Sequence, residues 1–341
     1  MKKWSEAFQV AAVFVGTIVG AGFATGREIV EFFTRFGAWG TAAILLAGVL
    51  FIISGAKMML IAIHIKAQSF EELNQYLFGR FSAVMNLFLF MMLAGVCAVM
   101  LSGAEALFTE QLNLPRHSGL LFTVVLTLIV LSAGIKGLFG VNAFVVPLMV
   151  FFTFLVMIQV FQTGSSFQSE FTFLDWKEGV QAGLSAFSYA AFNLALAQAV
   201  LVPMAIEIND RNTVRLGGIV GGVLLTVILL LSHMTLGTHT DPAAYEIPMA
   251  VIVKRAAGGL YLIYLLIIYG EIFTSVIGNL YGLEKQIRQY IPIRSFFIHA
   301  GILAAVYIVS LVKYSTLLEW LYPLFGYVSI GFLLLLLIKK S

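Results

Sequence analysis

Ten apolar stretches, most of them long enough to cross a lipid bilayer, divide the chain from one end to the other. A transmembrane helix needs about 20 consecutive apolar residues. Hydrophobic residues fill 60% of the 341 positions and charged residues 11%, whereas a soluble domain carries about 25% charged residues. The sequence therefore predicts an all-α membrane protein with spans near residues 5–36, 38–66, 80–112, 117–136, 141–162, 176–207, 213–237, 249–284, 293–312 and 315–339.

The charged residues predict an orientation and narrow the possible partners. Thirteen of the 20 Lys and Arg residues fall on the side of the N-terminus and seven on the other, so both termini are expected in the cytoplasm of a plasma-membrane protein. The net charge of +3 is dispersed, without a basic patch suited to nucleic acid. The spans lack HExxH and GxSxG motifs, so we expect neither an enzyme nor a cofactor.

The first span contains four glycines within residues 13–28 and ends in a charged pair. Glycine weakens a helix because its backbone loses more freedom on ordering than that of any other residue. A break there predicts a polar site near the middle of the membrane, where the half-helix that starts at Ala21, Gly22 and Phe23 offers free amides to a substrate carboxylate. The alternative is that the glycines form a small-residue stripe for close helix packing.

The sixth span is unusual because small and polar residues lie in its middle, over residues 186–193. Ser188, Tyr189, Phe192 and Asn193 are candidates for the wall of a substrate pocket, although aromatic side chains in a membrane helix also serve packing. Five spans lie in residues 1–162 and five in residues 176–341, within a single transmembrane domain. Because five is an odd number, the second group enters the membrane from the opposite side, as in an inverted repeat.

Three short motifs carry a resemblance to known transporters: the triplet at residues 20–22, residues 187–193, and residues 271–275. They resemble the LeuT-type fold of sodium-coupled neurotransmitter and amino-acid symporters and of the amino acid–polyamine–organocation (APC) superfamily. Residues 22–28, followed by Phe32 and Phe33, are similar to the YkvI-like membrane proteins of bacteria. The resemblance implies that helices 1 and 6 are discontinuous and that the chain transports a small solute by alternating access.

The same resemblance implies a sodium site between the first and eighth helices. Its ligands would be the main-chain oxygens of Gly16, Val19 and Glu271 and the side-chain oxygens of Thr274 and Ser275. Oxygen ligands suit a hard cation. The competing interpretation is that the two hydroxyls bond to their own helix, as Ser and Thr often do in membranes.

Ionisable residues within the spans leave two further questions open. Glu271 lies on the same helix face as the two hydroxyls, where it would bind the cation, carry a proton itself, or pair with a polar group of a neighbouring helix. Arg27 and Glu105 would form a pair that closes the site from outside, or a static surface contact with snorkelling side chains.

Three functions therefore remain. The first is a sodium-coupled symporter of an amino acid or similar small zwitterion, and the second is a proton-coupled transporter that uses Glu271. The third is a membrane ligand sensor that does not transport, like the amino-acid-sensing subunits of spore germinant receptors.

Overall fold

The structure, a computed structural model, describes residues 2–133, 136–162, 175–288 and 293–340. All regular structure in these ranges is helical, in agreement with the all-α prediction. The α-helices are α1 (Lys2–Ile18), α2 (Ala21–Thr25), α3 (Arg27–Phe32), α4 (Ala38–Leu50), α5 (Ala56–Ile65), α6 (Phe70–Phe78), α7 (Ser82–Ala106), α8 (Ser118–Ala133), α9 (Lys136–Gln162), α10 (Trp176–Ile208), α11 (Arg211–Leu236), α12 (Pro248–Ala256), α13 (Tyr261–Arg288), α14 (Ser295–Ser310) and α15 (Tyr314–Ile338).

Ten apolar helical segments in the described ranges correspond in position to the ten predicted spans. Six are long and apolar enough to cross a membrane: Ala38–Ile65, Phe70–Gln111, Trp176–Ile208, Arg211–Leu236, Gly258–Arg288 and Tyr314–Ile338. The other four are shorter: Trp4–Ile18, Ser118–Ser132, Pro147–Val160 and Ser295–Ser310. The protein is therefore a multi-pass membrane protein.

The first helix is interrupted, as its glycines predict. The helix α1 ends at Ile18, and α2 begins at Ala21 after an extended backbone at Gly20. A second interruption follows at Gly26, whose φ of +80° lies in the left-handed region that glycine adopts without steric cost. The amide of Gly26 donates a 3.0 Å hydrogen bond to the carbonyl of Phe23, which closes α2 after five residues.

The sixth helix is continuous, and the prediction that it unwinds over residues 186–193 is wrong. The helix α10 runs without a break through this segment and also through Pro203. The segment contains alanine but no glycine, and alanine is the strongest helix former. Its polar group also turns back onto the helix, since the Asn193 amide donates a 3.0 Å hydrogen bond to the carbonyl of Tyr189.

The eighth span also differs from its prediction as one long helix over residues 249–284. The structure instead forms α12, a single tight turn over residues 258–260, and then α13. Two consecutive glycines, Gly258 and Gly259, occupy this turn. Each of them weakens a helix, and Pro248 at the first position of α12 favours a separate helix start.

The helices surround the broken first span on several sides. The helix α1 packs along α11, and the short helix α2 lies against α13. The helix α10 packs against α15 and α4, and it also contacts α1 and α3. The break therefore lies between α13 on one side and the pair α10 and α15 on the other.

Candidate functional site

The interruption of the first helix adjoins one face of α13. The hydroxyl oxygen of Ser275 is 3.6 Å from the point at which a β-carbon on Gly20 would stand. Tyr264 lies eleven residues earlier on the same face of α13, and its hydroxyl donates a 2.9 Å hydrogen bond to the carbonyl of Ala24. Both ends of α2 therefore lie close to α13, and the hydrogen bond from Tyr264 joins the second end to it.

Glu271 lies between these two contacts, on the same face of α13, seven residues after Tyr264 and four before Ser275. Its side chain is buried, with 2% of its surface exposed, and its Oε1 atom has no hydrogen-bond partner among the described residues. A buried carboxylate without a partner is costly in an apolar environment. A cation or a proton at this position would remove that cost.

The predicted ligands of the cation differ in what they contact. Thr274 is buried, and its hydroxyl donates a 3.2 Å hydrogen bond to the carbonyl of Glu271 in its own helix, whereas Ser275 adjoins the break. Gly16 and Val19 lie at the end of α1, where a helix has no following amides to occupy its last carbonyls. The two hydroxyls are therefore not equivalent, and the sodium site stays a prediction.

Glu28 is a second buried carboxylate at the break, which the sequence analysis placed only at the outer end of the first helix. Its side chain lies against Gly22, and a β-carbon at Gly22 would overlap the Oε2 atom of Glu28. The Tyr189 and Asn193 side chains of α10 lie beside its carboxyl group. Glu28 is 5% exposed, and its Oε1 atom has no hydrogen-bond partner among the described residues. Residues on two helices therefore converge on this carboxylate.

Aromatic residues of α10 and α15 surround this position. The Phe192 ring lies on the Tyr322 ring with 4.6 Å between their centroids, and both side chains are buried. The Tyr189 ring packs against Phe33 with 4.9 Å between their centroids, and its hydroxyl faces the Glu28 carboxyl group. A further tyrosine of α15, Tyr314, contacts the Thr25 hydroxyl at 2.8 Å.

The remaining predicted pocket residues are also buried in this region. Ala21, Gly22 and Phe23 form the first three positions of α2. Ser188 lies against α15, at Gly326, and its hydroxyl has no partner among the described residues. Tyr189 and Asn193 therefore lie at the break together with Glu28, whereas Ser188 faces α15 at Gly326; Glu28, Tyr314 and Tyr322 were not identified from the sequence as site residues.

The predicted pair of Arg27 and Glu105 does not form. The Arg27 guanidinium instead forms an ion pair with Glu319 of α15 and donates to the carbonyls of Ala243 and Tyr245. The Glu105 carboxylate accepts hydrogen bonds at 2.5 and 3.2 Å from the amides of His117 and Leu120. These amides belong to the start of α8, whose first amides have no partner within the helix, so the carboxylate caps that helix.

Arg27 therefore connects three elements at one end of the bundle, which we call the α3 end: α3, the loop before α12, and α15. A second contact joins the same loop to α15, because Glu246 accepts hydrogen bonds from the amide and hydroxyl of Ser315 at 2.7 and 2.9 Å. The Glu246 amide in turn donates a 2.9 Å hydrogen bond to Glu110. These contacts join α3, α15 and the loop before α12 at the end of the bundle where Glu28, the residue after Arg27, is buried.

Comparison with known proteins identifies relatives over almost the whole chain. The chain is 49% identical over 337 residues to the uncharacterized membrane protein YkvI of Bacillus subtilis (strain 168), and the match covers 98% of this chain and 96% of that protein. It is 22% identical over 340 residues to the uncharacterized protein YyaD of the same organism, covering 98% and 97%. No family model matches the chain.

Two groups of solved structures share the fold. A mutant of the manganese transporter from Eremococcus coleocola matches with a TM-score of 0.69 at 13% identity, covering 97% of this chain and 78% of that chain. The inward-facing conformation of Mhp1 matches with a TM-score of 0.63 at 10% identity, covering 96% and 75%. The first is a manganese transporter and Mhp1 is a nucleobase-cation-symport-1 family transporter, and identities this low establish a shared fold alone.

Proposed function

The chain belongs to the YkvI family of membrane proteins, and from that premise we propose that it is an ion-coupled secondary transporter of a small organic solute. One observation carries the proposal: the break in the first helix lies between two buried carboxylates, Glu28 and Glu271, each with an unpartnered oxygen. Interrupted helices inside a membrane bundle provide binding sites for ions and solutes. The fold shared with known transporters supports the same function.

The coupling ion in this proposal is sodium, bound between the end of α1 and α13. The main-chain oxygens of Gly16, Val19 and Glu271 would be joined by the hydroxyl oxygens of Thr274 and Ser275. The contact of Ser275 with the break supports this site, and the Glu271 carboxylate would balance the charge of the ion. The alternative within the same fold is that Glu271 itself carries a proton, which its burial and missing partner also support.

The proposed architecture is a five-plus-five inverted repeat, with residues 1–162 as the first half and residues 176–341 as the second. Both termini would be cytoplasmic, so that the α3 end faces outward. Because α10 is continuous, the exposed backbone of the site comes from the first helix alone, and α10 contributes side chains. The cargo in this proposal is an amino acid or similar zwitterion.

Alternating access requires the α3 end to open. The bonds from Arg27 to Glu319 and to the loop before α12 would have to break before a solute could reach Glu28 from outside. In our proposal these contacts form the outer closure of the transport cycle. Ion and solute binding would favour one of the two states only through different affinities for them.

The test begins with purified protein in detergent, melted in sodium chloride and in potassium chloride at equal ionic strength. Sodium should raise the melting temperature relative to potassium, and an amino acid that binds should raise it further. Proteoliposomes should then accumulate that solute against its gradient when sodium is higher outside. Equal melting in both salts, together with a pH-dependent shift that Glu271→Gln abolishes, would replace sodium by protons. Solute binding without accumulation under either gradient would reject transport in favour of a ligand sensor.

A further inference from the structure

The carboxylate of Glu28 limits which chemical group of the cargo can lie at the break. The substrate carboxylate expected from the sequence would approach the first turn of α2, at Ala21, Gly22 and Phe23. In the structure the Glu28 carboxylate itself lies against this turn, at Gly22. Two carboxylates repel each other strongly in a site from which water is excluded. A negative group of the cargo is therefore disfavoured at this position.

Glu28 has no positively charged partner among the residues that the structure describes. Arg27 is its neighbour in sequence, but the Arg27 guanidinium is directed to Glu319 and to the loop carbonyls of Ala243 and Tyr245. The Tyr189 and Asn193 side chains lie within hydrogen-bonding reach of the Glu28 carboxyl group, and both are neutral. Buried charges in proteins are generally paired. One positively charged group bound beside Glu28 would therefore neutralise the carboxylate.

The surroundings of Glu28 indicate which positive group fits. The Oε1 atom of Glu28, which has no hydrogen-bond partner among the described residues, and the hydroxyl oxygen of Tyr189 both accept hydrogen bonds. An ammonium group has three donors to offer them. The buried rings of Phe192 and Tyr322 present aromatic surface, which attracts organic cations as well as apolar chains.

We propose that Glu28 binds a positively charged ammonium group of the cargo, so that the substrate class is small organic amines, with or without a carboxylate. This proposal rests on the transporter function proposed above and specifies the group through which its substrate binds. In this proposal Glu28 binds the cargo, and Glu271 of α13 remains available for the coupling ion. An amino acid would bind through its amino group, and its carboxylate would lie away from Gly22.

The experiment measures binding to the purified full-length protein by thermal shift and by calorimetric titration. The probes are n-butylamine, tetramethylammonium, L-alanine and n-butyrate, each in sodium and in potassium chloride. We expect binding of n-butylamine and L-alanine, weaker binding of tetramethylammonium because it has no N–H donor, and none of n-butyrate. In Glu28→Gln, the affinity for n-butylamine should fall at least about tenfold, because a charge-assisted hydrogen bond is lost.

Two variants control for loss of folding. Glu28→Asp keeps the charge and should retain part of the affinity, while Glu178→Gln removes an exposed carboxylate of α10 and should leave affinity unchanged. Size-exclusion profiles and melting without ligand report whether Glu28→Gln is folded. Equal affinity in wild type and folded Glu28→Gln, binding of n-butyrate alone, or no binding of any amine probe would overturn the proposal. Amine binding that depends on Glu28 but is never followed by transport would keep this inference and reject the transporter.

Discussion

The Glu28 carboxylate lies directly against Gly22, so closely that a β-carbon on Gly22 would overlap its Oε2 atom and lie 3.3 Å from its Cβ and Cδ atoms. The side chain of Glu28 is buried, so it has little space into which it can retreat. The absence of a side chain at residue 22 therefore fixes where the second half of the broken helix places its carboxylate.

Gly22→Ala should displace the Glu28 carboxylate. We expect the melting temperature to fall by an amount equivalent to about 1–3 kcal/mol, as for other overpacked sites, and amine binding to weaken with it. Thermal unfolding and titration with n-butylamine measure the two effects. Gly183→Ala in α10 is the matched control, because nothing lies within 4 Å of its added β-carbon. It should be neutral or stabilising by about 0.5–1 kcal/mol. If Gly22→Ala and Gly183→Ala changed the melting temperature and the amine affinity equally, the close packing of Glu28 against Gly22 would be contradicted.

Ser275→Ala should reduce sodium-dependent stabilisation more than Thr274→Ala does. The Ser275 hydroxyl adjoins the break at Gly20, whereas the Thr274 hydroxyl is already bonded to the carbonyl of Glu271. A hydroxyl bonded to its own helix has less to contribute to an ion. The difference in melting temperature between sodium and potassium chloride, taken over a series of salt concentrations, gives the apparent affinity.

The expected loss is at least about tenfold in sodium affinity for Ser275→Ala, in line with about 1.5–3 kcal/mol for a bond to a charged group. Ser310→Ala is the control, because this buried hydroxyl bonds to the carbonyl of Tyr307 in its own helix α14. An unchanged sodium dependence in the Thr274 and Ser275 double variant would refute the sodium site.

Arg27→Gln should loosen the α3 end of the bundle. The variant loses the ion pair with Glu319 and weakens the bonds to Ala243 and Tyr245, and bonds made by charged groups are worth about 1.5–3 kcal/mol. Hydrogen–deuterium exchange should therefore accelerate at least about tenfold in α3 and in the loop over residues 241–247.

Arg35→Gln is the matched control for this effect. Arg35 forms an ion pair with Glu31 four residues earlier, and its side chain is 48% exposed. Exposed pairs of this kind contribute about 0.3–0.5 kcal/mol. Exchange in the loop should then stay close to that of the wild type. Equal acceleration in both variants would mean that Arg27 does not close this end.

Features that depend on a residue's effect on its own backbone were predictable from the sequence, and features that depend on contacts between side chains were not. The break at Gly20 was predictable because glycine in an apolar span acts on its own backbone. The unwinding expected in the sixth helix was wrong because Asn193 bonds to Tyr189 within the same helix, and the pattern alone did not distinguish this from a pocket. Glu28 was missed because Gly26, with its positive φ, resets the direction of the helix between Gly22 and Glu28.

Pairings across the bundle were beyond the sequence for a different reason. Arg27 and Glu319 are 292 positions apart, and helical periodicity states which face a residue occupies but not which helix covers that face. The expected partner, Glu105, was nearer in sequence but capped the start of α8 instead. Glu105 lies close in sequence to the unpaired amides at the start of α8, so it binds them and not the more distant Arg27.

His233→Ala should destabilise the protein through the connection between α11 and the turn after α3. Both ring nitrogens of His233 bond to threonine hydroxyls, Nδ1 to Thr34 and Nε2 to Thr41, each at 3.1 Å. The substitution removes the partner of two half-buried hydroxyls, at a total cost of about 1–3 kcal/mol. Thermal unfolding measures the loss, and His64→Ala, at an exposed histidine of α5, should stay within about 0.5 kcal/mol of the wild type. If the two variants melt at the same temperature, the bonds from His233 to Thr34 and Thr41 do not stabilise the connection between α11 and the turn after α3.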